Sequence, residues 1–540
     1  MFISRLKSVK HIIPIFVILV LVSCTVPKPM PTTAPISEQS PANPQVTVIP
    51  RESRPNIVLI IADDLDLRLG TIATMPNLQK LLVHQGLSFD NFYVTDSICC
   101  PSRSTFLRGQ YVHNHTIYTN VYPTGGFQKF FEDGLEASTL GVWLQPAGYK
   151  TVLLGKYLNE YPSKSDPLHV PVGWSEWYSP IKGKPYSGFN YALNENGQEV
   201  FYGDAPEDYI TDVLTRKTLD FIQRASAESQ PFFVYFSSFA PHEPPKAAYR
   251  HRDLFQDARA PQTPSFNEAD VSDKPSWIQG DPLLTGEEII ALNELYIERL
   301  QSMQAVDEMI SQLIQVLQET GTLENTYIVF TSDNGYHLGQ HRLKNGKGSA
   351  YLEDIQVPFV IRGPGVPQGD SLKGYVTGNI DFAPTIADLA GIIPPEFVDG
   401  RSLAPLFADN RPGLTDWRDG LLFEYFREEK NNSDQESRRG VELISYIPDA
   451  DYGIFEPFEQ LIGLPTGLIV PYRGIITAQY KYVRYEDDTV ELYNIQADPF
   501  ELENIAPTTD PVKLNNFSNW LDLLSACAGA DCRELDRSPQ

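Results

Sequence analysis

Short apolar runs that stop abruptly at polar residues set the pattern of this chain. Residues 56–62 form an uninterrupted, largely β-branched run that ends at Asp63-Asp64. Residues 149–154 lead into Gly155-Lys156, 231–236 lead through two serines towards His242, and 326–331 lead to Asp333-Asn334. Runs with no polar interruption predict strands buried on both faces. Between them lie stretches with helical spacing at 78–85, 212–224 and 286–320. Thr285 and Glu288 can form a capping box at the start of the last, and Gly321 stops it. The alternation predicts an α/β fold with a large, mostly parallel sheet flanked by helices. Ligands of such sheets bind outside the carboxyl ends of the strands. Asp63, Asp64, Lys156, His242, Asp333 and Asn334 all follow strand ends.

Beyond about residue 410 the pattern changes. Short runs at 474–477, 480–485 and 490–493 with tight connections predict an antiparallel meander. We read residues 411–540 as a small C-terminal antiparallel-sheet domain that packs on the main sheet and shapes one wall of the pocket. The acidic stretch 427–439 reads as a solvated loop.

The N-terminus has the form of a targeting segment. Arg5, Lys7 and Lys10 precede an apolar run at 12–22 that is short for a bilayer span. Leu21-Val22-Ser23-Cys24 resembles a bacterial lipobox, which implies a signal peptide at 1–24, lipidation of Cys24 and a membrane lipid anchor. The chain is then expected to be exported and held on the bacterial cell membrane, on its periplasmic or outer face. Residues 25–54 are rich in proline, serine and threonine and read as an extended tether.

With 43 Lys+Arg against 69 Asp+Glu, the formal net charge of −26 argues against nucleic acid as a partner. Any anionic substrate then needs cations gathered locally. Asp63-Asp64 offers one route: two adjacent carboxylates at a buried strand end repel unless a hard divalent ion sits between them. A solvated turn is the plainer reading of the same pair.

Residues 96–115 are the most unusual stretch. Cys99-Cys100 precede Pro101, Ser102 and Arg103, and Gly109 follows. Pro101 suits a helix start and Gly109 a helix stop. Cysteines at a helix N-terminus meet a field that favours anions and lowers a thiol pKa. A buried cysteine pair is the alternative. Neighbouring cysteines bridge only with strain, whereas Cys527 and Cys532 could form a small disulfide.

The C-C-P-S-R segment at 99–103 resembles the C-x-P-S-R signature of type I sulfatases, and the wider match is most similar to the N-acetylglucosamine-6-sulfatases. It runs from about Pro55 to Asn504, so residues 55–410 are expected to form a sulfatase catalytic domain of alkaline-phosphatase-like fold. The resemblance implies that Cys99 is oxidised to formylglycine by a formylglycine-generating enzyme. Its hydrate would attack sulfur. Asp63, Asp64, Asp333 and Asn334, with the modified Cys99, match ligands of one Ca²⁺, Mg²⁺ being the other hard ion of this kind. Arg103, Lys156, His242 and Lys347 match residues that bind sulfate or assist the leaving group. The substrate implied is a sulfated carbohydrate, with the 6-O-sulfate of N-acetylglucosamine in a glycosaminoglycan first. Gln110 departs from the family, which usually has arginine or lysine there. Leu158 stands where many sulfatases have an acid–base histidine.

Other readings stay open at this point. One is a phosphatase or phosphodiesterase of the same superfamily. Another is a non-catalytic lipoprotein that binds sulfated glycans. Asn114 and His115 could read a sugar, and His337 could touch substrate or only pack its loop. Trp174 and Trp177 lie in an insert at 171–203 that forms either a carbohydrate-stacking wall or a surface loop with a small core of its own.

Overall fold

The apolar runs become the centre of a ten-stranded sheet in the computed structural model, which describes residues 54–408, 410–427 and 469–538. Its strands are β1 (Asn56–Ala62), β2 (Leu87–Phe89), β3 (Lys150–Gly155), β4 (Glu176–Gly183), β5 (Tyr191–Glu195), β6 (Gln198–Tyr202), β7 (Phe232–Ser237), β8 (Thr326–Ser332), β9 (Phe359–Arg362) and β10 (Asp370–Leu372). Their spatial order is β10-β2-β9-β8-β1-β7-β3-β4-β5-β6. The five strands from β8 to β4 run parallel, and antiparallel pairings flank them on both sides.

The two faces of β1 explain its unbroken apolar sequence. Ile57, Leu59 and Ile61 enter one core, and Val58, Ile60 and Ala62 enter the other. Each large side chain of this kind contributes about 1.5–3 kcal/mol when fully buried. The second core packs against helices Ile210–Ala227 and Gly286–Glu319 through residues such as Phe221, Val306 and Ile310. The first packs against helices Cys99–Arg108 and Phe382–Leu389. Gly286–Glu319 carries the expected capping box between Thr285 and Glu288. The stretch at 78–85 is a short α-turn, Pro76–Leu78, that continues as a π-helix over Gln79–Val83.

A four-stranded antiparallel sheet follows: β11 (Gly420–Tyr425), β12 (Tyr472–Thr477), β13 (Lys481–Tyr485) and β14 (Val490–Tyr493). It contains the three expected strands and one more, β11. Its inner face shares a continuous apolar core with the large sheet. Cys527 and Cys532 are disulfide-bonded.

The insert at 171–203 is neither a stacking wall nor a surface loop. It supplies β4, β5 and β6, so it extends the main sheet, and Trp174 and Trp177 are core residues. The signal segment with Cys24 and the tether up to residue 53 lie outside the described residues, as does nearly all of the acidic stretch from 427 onwards. No helix among the described residues is long and apolar enough to cross a membrane.

Candidate active site

Register brings the strand ends level. Ala62 pairs with Ser332, Ile61 with Ser237, and Ser237 with Gly155. The next residues along these strands therefore emerge on one rim: Asp63-Asp64, Lys156, Asp333-Asn334 and, five residues past β7, His242. All are buried.

The charged groups interlock. Lys156 Nζ donates to both Asp63 oxygens at 2.8 and 2.6 Å. Arg103 Nε donates to Asp333 Oδ2 at 2.8 Å, and its Nη1 to Ser237 Oγ at 2.6 Å. Lys347 Nζ lies 2.5 Å from Asp64 Oδ1 and 2.7 Å from Cys99 Sγ. Asp333 Oδ1 accepts the amides of Asp64 and Asn334 at 3.1 and 2.8 Å. Burial works to raise the Asp63 carboxyl, but Lys156, His242, Arg103 and Lys347 outweigh it and hold it well below the usual range. Burial pushes Asp333 up to about 6 despite Arg103.

Cys99 is the first residue of its helix and Cys100 the second, so the helix starts two residues earlier than the proline implied. Gly109 stops it in the left-handed region, φ 68°. Cys99 Sγ sits 3.6 Å from Asp63 Oδ1 and 3.9 Å from Asp64 Oδ1. The expected lowering of its thiol pKa does not occur: burial pushes the thiol up, and Lys156 and Lys347 do not offset it. The reason is that the sulfur is fully enclosed beside carboxylates, where desolvation exceeds the helix field. Cys100 faces the apolar core instead. Cys100→Ala is therefore expected to keep full turnover and to lose about 1 kcal/mol of stability, read from its urea midpoint.

His242 directs Nδ1 at Glu243 O, 2.6 Å away, which assigns the proton to Nδ1. Its Nε2 has no hydrogen-bond partner and lies 3.6 Å from Asp64 Oδ2. Burial brings this imidazole down to about 4 although Asp64 and Asp63 pull the other way, so it is neutral at pH 7. Tyr186 packs its ring 4.6 Å from that of His242 and 5.3 Å from Lys156 Nζ. Tyr186 and Ser237 escaped the sequence reading. Ser237 stood at a strand end, but Tyr186 comes from a short 3₁₀ turn in the insert that carries no periodic signal.

The site fits a hard divalent cation. Asp63, Asp64, Cys99 and His242 offer ligand atoms that all lie within 4.8 Å of one another. Asn334 Nδ2 donates to Asp64 Oδ1 at 2.8 Å, while its buried Oδ1 has no partner. Unpartnered carbonyl oxygen beside carboxylates is a donor set for Ca²⁺ or Mg²⁺. Three carboxylates (Asp63, Asp64, Asp333) balance three cations (Arg103, Lys156, Lys347). A divalent ion would leave the site positive, as an oxyanion requires.

The Lys347 loop is held from two sides. His337-Leu338 pairs with Asn345-Gly346, and His337 Nδ1 meets Asp354 Oδ1 at 2.9 Å. His337 thus packs the hairpin just before Lys347. From the small sheet, Tyr472 donates to Gly348 O at 3.1 Å and Lys481 to Ala350 O at 2.5 Å. His341, Glu353 and Glu501 form a buried polar group in the same seam, in which Lys481 pairs with Glu501 and His341 with Glu268.

Asn114 and His115 are engaged in contacts within the protein. Asn114 donates to Asp399 Oδ2 and Cys527 O, and His115 is fully buried against Thr105 Oγ1 and the Ile117 amide. Gln110 is also buried, and its Oε1 accepts from Arg108 Nε at 2.8 Å. Burial lowers His115 to about 3 and His341 to about 4. The folded values lie below the unfolded one, so the unfolded chain binds more protons between them. The contribution of these two rings is complete above about pH 6.5 and is lost with acid by about 1.4 kcal/mol per pH unit per histidine. The change in urea midpoint from pH 7 to pH 5 should be more destabilising in wild type than in His115→Asn, by the share of this one ring.

Residues 55–392 match the family model described as Sulfatase, and 339–451 match N-sulphoglucosamine sulphohydrolase, C-terminal. The chain is 36% identical to the N-acetylglucosamine-6-sulfatase of Capra hircus, over 89% of this chain and 85% of that one. It is 35% identical to the Homo sapiens protein of the same name, over 89% and 86%. Its fold is similar to BT4656 in complex with its substrate D-glucosamine-2-N,6-O-disulfate, with TM-score 0.70 and 22% identity over 90% of this chain and all of that one. Phosphonate monoester hydrolase of Agrobacterium radiobacter shares the fold at TM-score 0.64 and 21% identity, over 88% and 96%.

Proposed function

The chain belongs to the sulfatase family and hydrolyses sulfate esters, and from that premise we propose that it removes the 6-O-sulfate of N-acetylglucosamine, or of a closely related sulfated sugar, using formylglycine at position 99 and a divalent cation. The substrate rests on the names of relatives that it matches over most of their length. The chemistry rests on one observation: Cys99 lies between Asp63, Asp64 and Lys347 with its thiol held protonated by burial. An unmodified thiol in that state is a poor nucleophile.

Formylglycine at 99 supplies a hydrated aldehyde as nucleophile, and Ca²⁺ or Mg²⁺ supplies Lewis acidity at the sulfate oxygens. Asp63, Asp64 and Asn334 would hold the cation together with residue 99. Asp333, whose Oδ1 accepts the amides of Asp64 and Asn334, would join them. Arg103 and Lys156 neutralise charge on the sulfate oxygens. Lys347, raised well above its ordinary value by Asp64 and Cys99 against the pull of burial, is the proton donor to the departing alcohol. Neutral His242, with its free Nε2, accepts a proton or a hydrogen bond from the reacting groups.

We further place the chain outside the cytoplasm, anchored through a lipid on Cys24 and served by a formylglycine-generating enzyme. The lipobox-like segment supports the anchor, and C-C-P-S-R supports the modifying enzyme.

Two measurements on protein from the native host test this reading. Mass spectrometry of the peptide carrying residue 99 should show an aldehyde in place of the thiol. A panel of sulfated monosaccharides, run beside phosphate esters, should give the highest kcat/KM with a 6-sulfated glucosamine. An intact thiol in fully active protein would overturn the nucleophile, and a preference for 2-O- or 4-O-sulfate would overturn the substrate.

A further inference from the structure

Arg299 lies near the middle of helix Gly286–Glu319 and is fully buried. No carboxylate lies within ion-pair distance of it among the described residues. Its Nη2 donates to Asp64 O at 2.5 Å and its Nη1 to Pro241 O at 3.1 Å. The guanidinium also stacks over the Tyr336 ring, 4.0 Å from its centre. One side chain thus touches three loops: the one bearing Asp63-Asp64, the one bearing His242, and the one bearing Asp333-Asn334.

Two features make this more than packing. Asp64 sits at φ 66°, in the left-handed region that a residue with a Cβ avoids. A charge-assisted bond to its carbonyl holds the peptide in that conformation and so fixes where the carboxylate points. Tyr336 carries the clasp onward. Its hydroxyl and Asn345 Nδ2 both meet Glu243 Oε1, the latter at 2.7 Å. That ties the residue after His242 to the hairpin just before Lys347. A buried guanidinium is costly unless its donors are used. Here both terminal nitrogens go to main-chain carbonyls of the site loops, while Asp66, Asp64 and Glu243 supply compensating negative charge from beyond ion-pair distance.

We propose that Arg299 is a positioning residue for hydrolysis: it sets the geometry of the cation-ligand pair and, through Tyr336 and Glu243, the spacing of His242 and Lys347. This rests on the cation assigned to Asp63 and Asp64 above. The contacts of the Arg299 side chain are two main-chain carbonyls and the Tyr336 ring, so it acts through other residues.

The test is calcium binding by calorimetry on metal-stripped wild type, Arg299→Lys and Arg299→Met, with kcat and KM on a 6-sulfated glucosamine. Lysine can reach one carbonyl but not both and lacks the planar face for Tyr336. Arg299→Lys should therefore weaken calcium at least about tenfold and lower kcat more than it raises KM, with Arg299→Met worse on both. A purely structural role would lower the melting temperature and leave calcium affinity unchanged. Should Arg299→Met fail to fold, Arg299→Lys decides. Wild-type calcium affinity and kcat in Arg299→Lys would overturn the inference alone. A wild-type protein that takes up no calcium or magnesium would overturn the cation assignment and the inference with it.

Discussion

Cys99→Ala is expected to fold normally and to lose more than about 10⁴-fold in kcat, on the scale seen when a nucleophile is removed from a group that acts as a unit. The sulfur itself holds little together. Its contacts are Asp63, Asp64 and Lys347, all of which keep other partners. The helix start is fixed elsewhere: Asn120 Oδ1 accepts the Cys100 amide at 2.8 Å, Asn379 Nδ2 donates to Ser102 Oγ at 2.9 Å, and Ser102 Oγ donates to Asp333 O. Arg103, Lys156 and Lys347 also remain, so sulfate binding survives and KM should stay within about threefold. That split, with kcat lost and KM kept, separates a missing nucleophile from a collapsed pocket. Cys99→Ser should behave the same wherever no enzyme converts serine. Steady-state kinetics on a 6-sulfated glucosamine are the measurement, and turnover by the alanine protein would end the scheme.

The sequence showed the site better than it showed the fold around it. Asp63, Lys156 and Asp333 were legible as one rim because a buried strand has no use for a charge, so the point where the apolar run stops is where the charged cluster begins. The capping box of Gly286–Glu319 was legible because it is local. Three things were not. The insert at 171–203 alternates weakly and mixes glycine, proline and aromatics, so its strands become visible only when they pair with the sheet. The fate of the Cys99 thiol depended on enclosure, which a helix-start motif does not encode. Arg299 reaches the site from a helix, more than thirty residues before Asp333, and nothing in a helical repeat marks one arginine as aimed inward at two carbonyls. His115 was open on sequence alone, and its ring is sealed in the core.

Asp64→Asn is expected to lower kcat/KM by about 10³-fold at micromolar calcium, a loss comparable to deleting a strong transition-state electrostatic contact. The change is nearly isosteric, and the main chain of residue 64 stays fixed by Asp333 Oδ1 and Arg299. What disappears is one charge, with two consequences. The donor set loses a hard anionic oxygen, so calcium should bind more weakly and millimolar calcium should restore part of the rate. Lys347 loses its carboxylate partner at 2.5 Å and becomes a buried cation facing an amide and residue 99. Desolvation then favours its neutral form. A neutral Lys347 cannot protonate the leaving alcohol, so added calcium should not recover the whole rate, and the remaining defect should shrink as the leaving group becomes more acidic. Aryl sulfates should therefore suffer less than the sugar sulfate. Measuring both substrates across a calcium titration separates the two roles of this one carboxylate. Equal losses on both substrates would assign Asp64 to the cation alone, and an unchanged calcium dependence would remove it from the cation site.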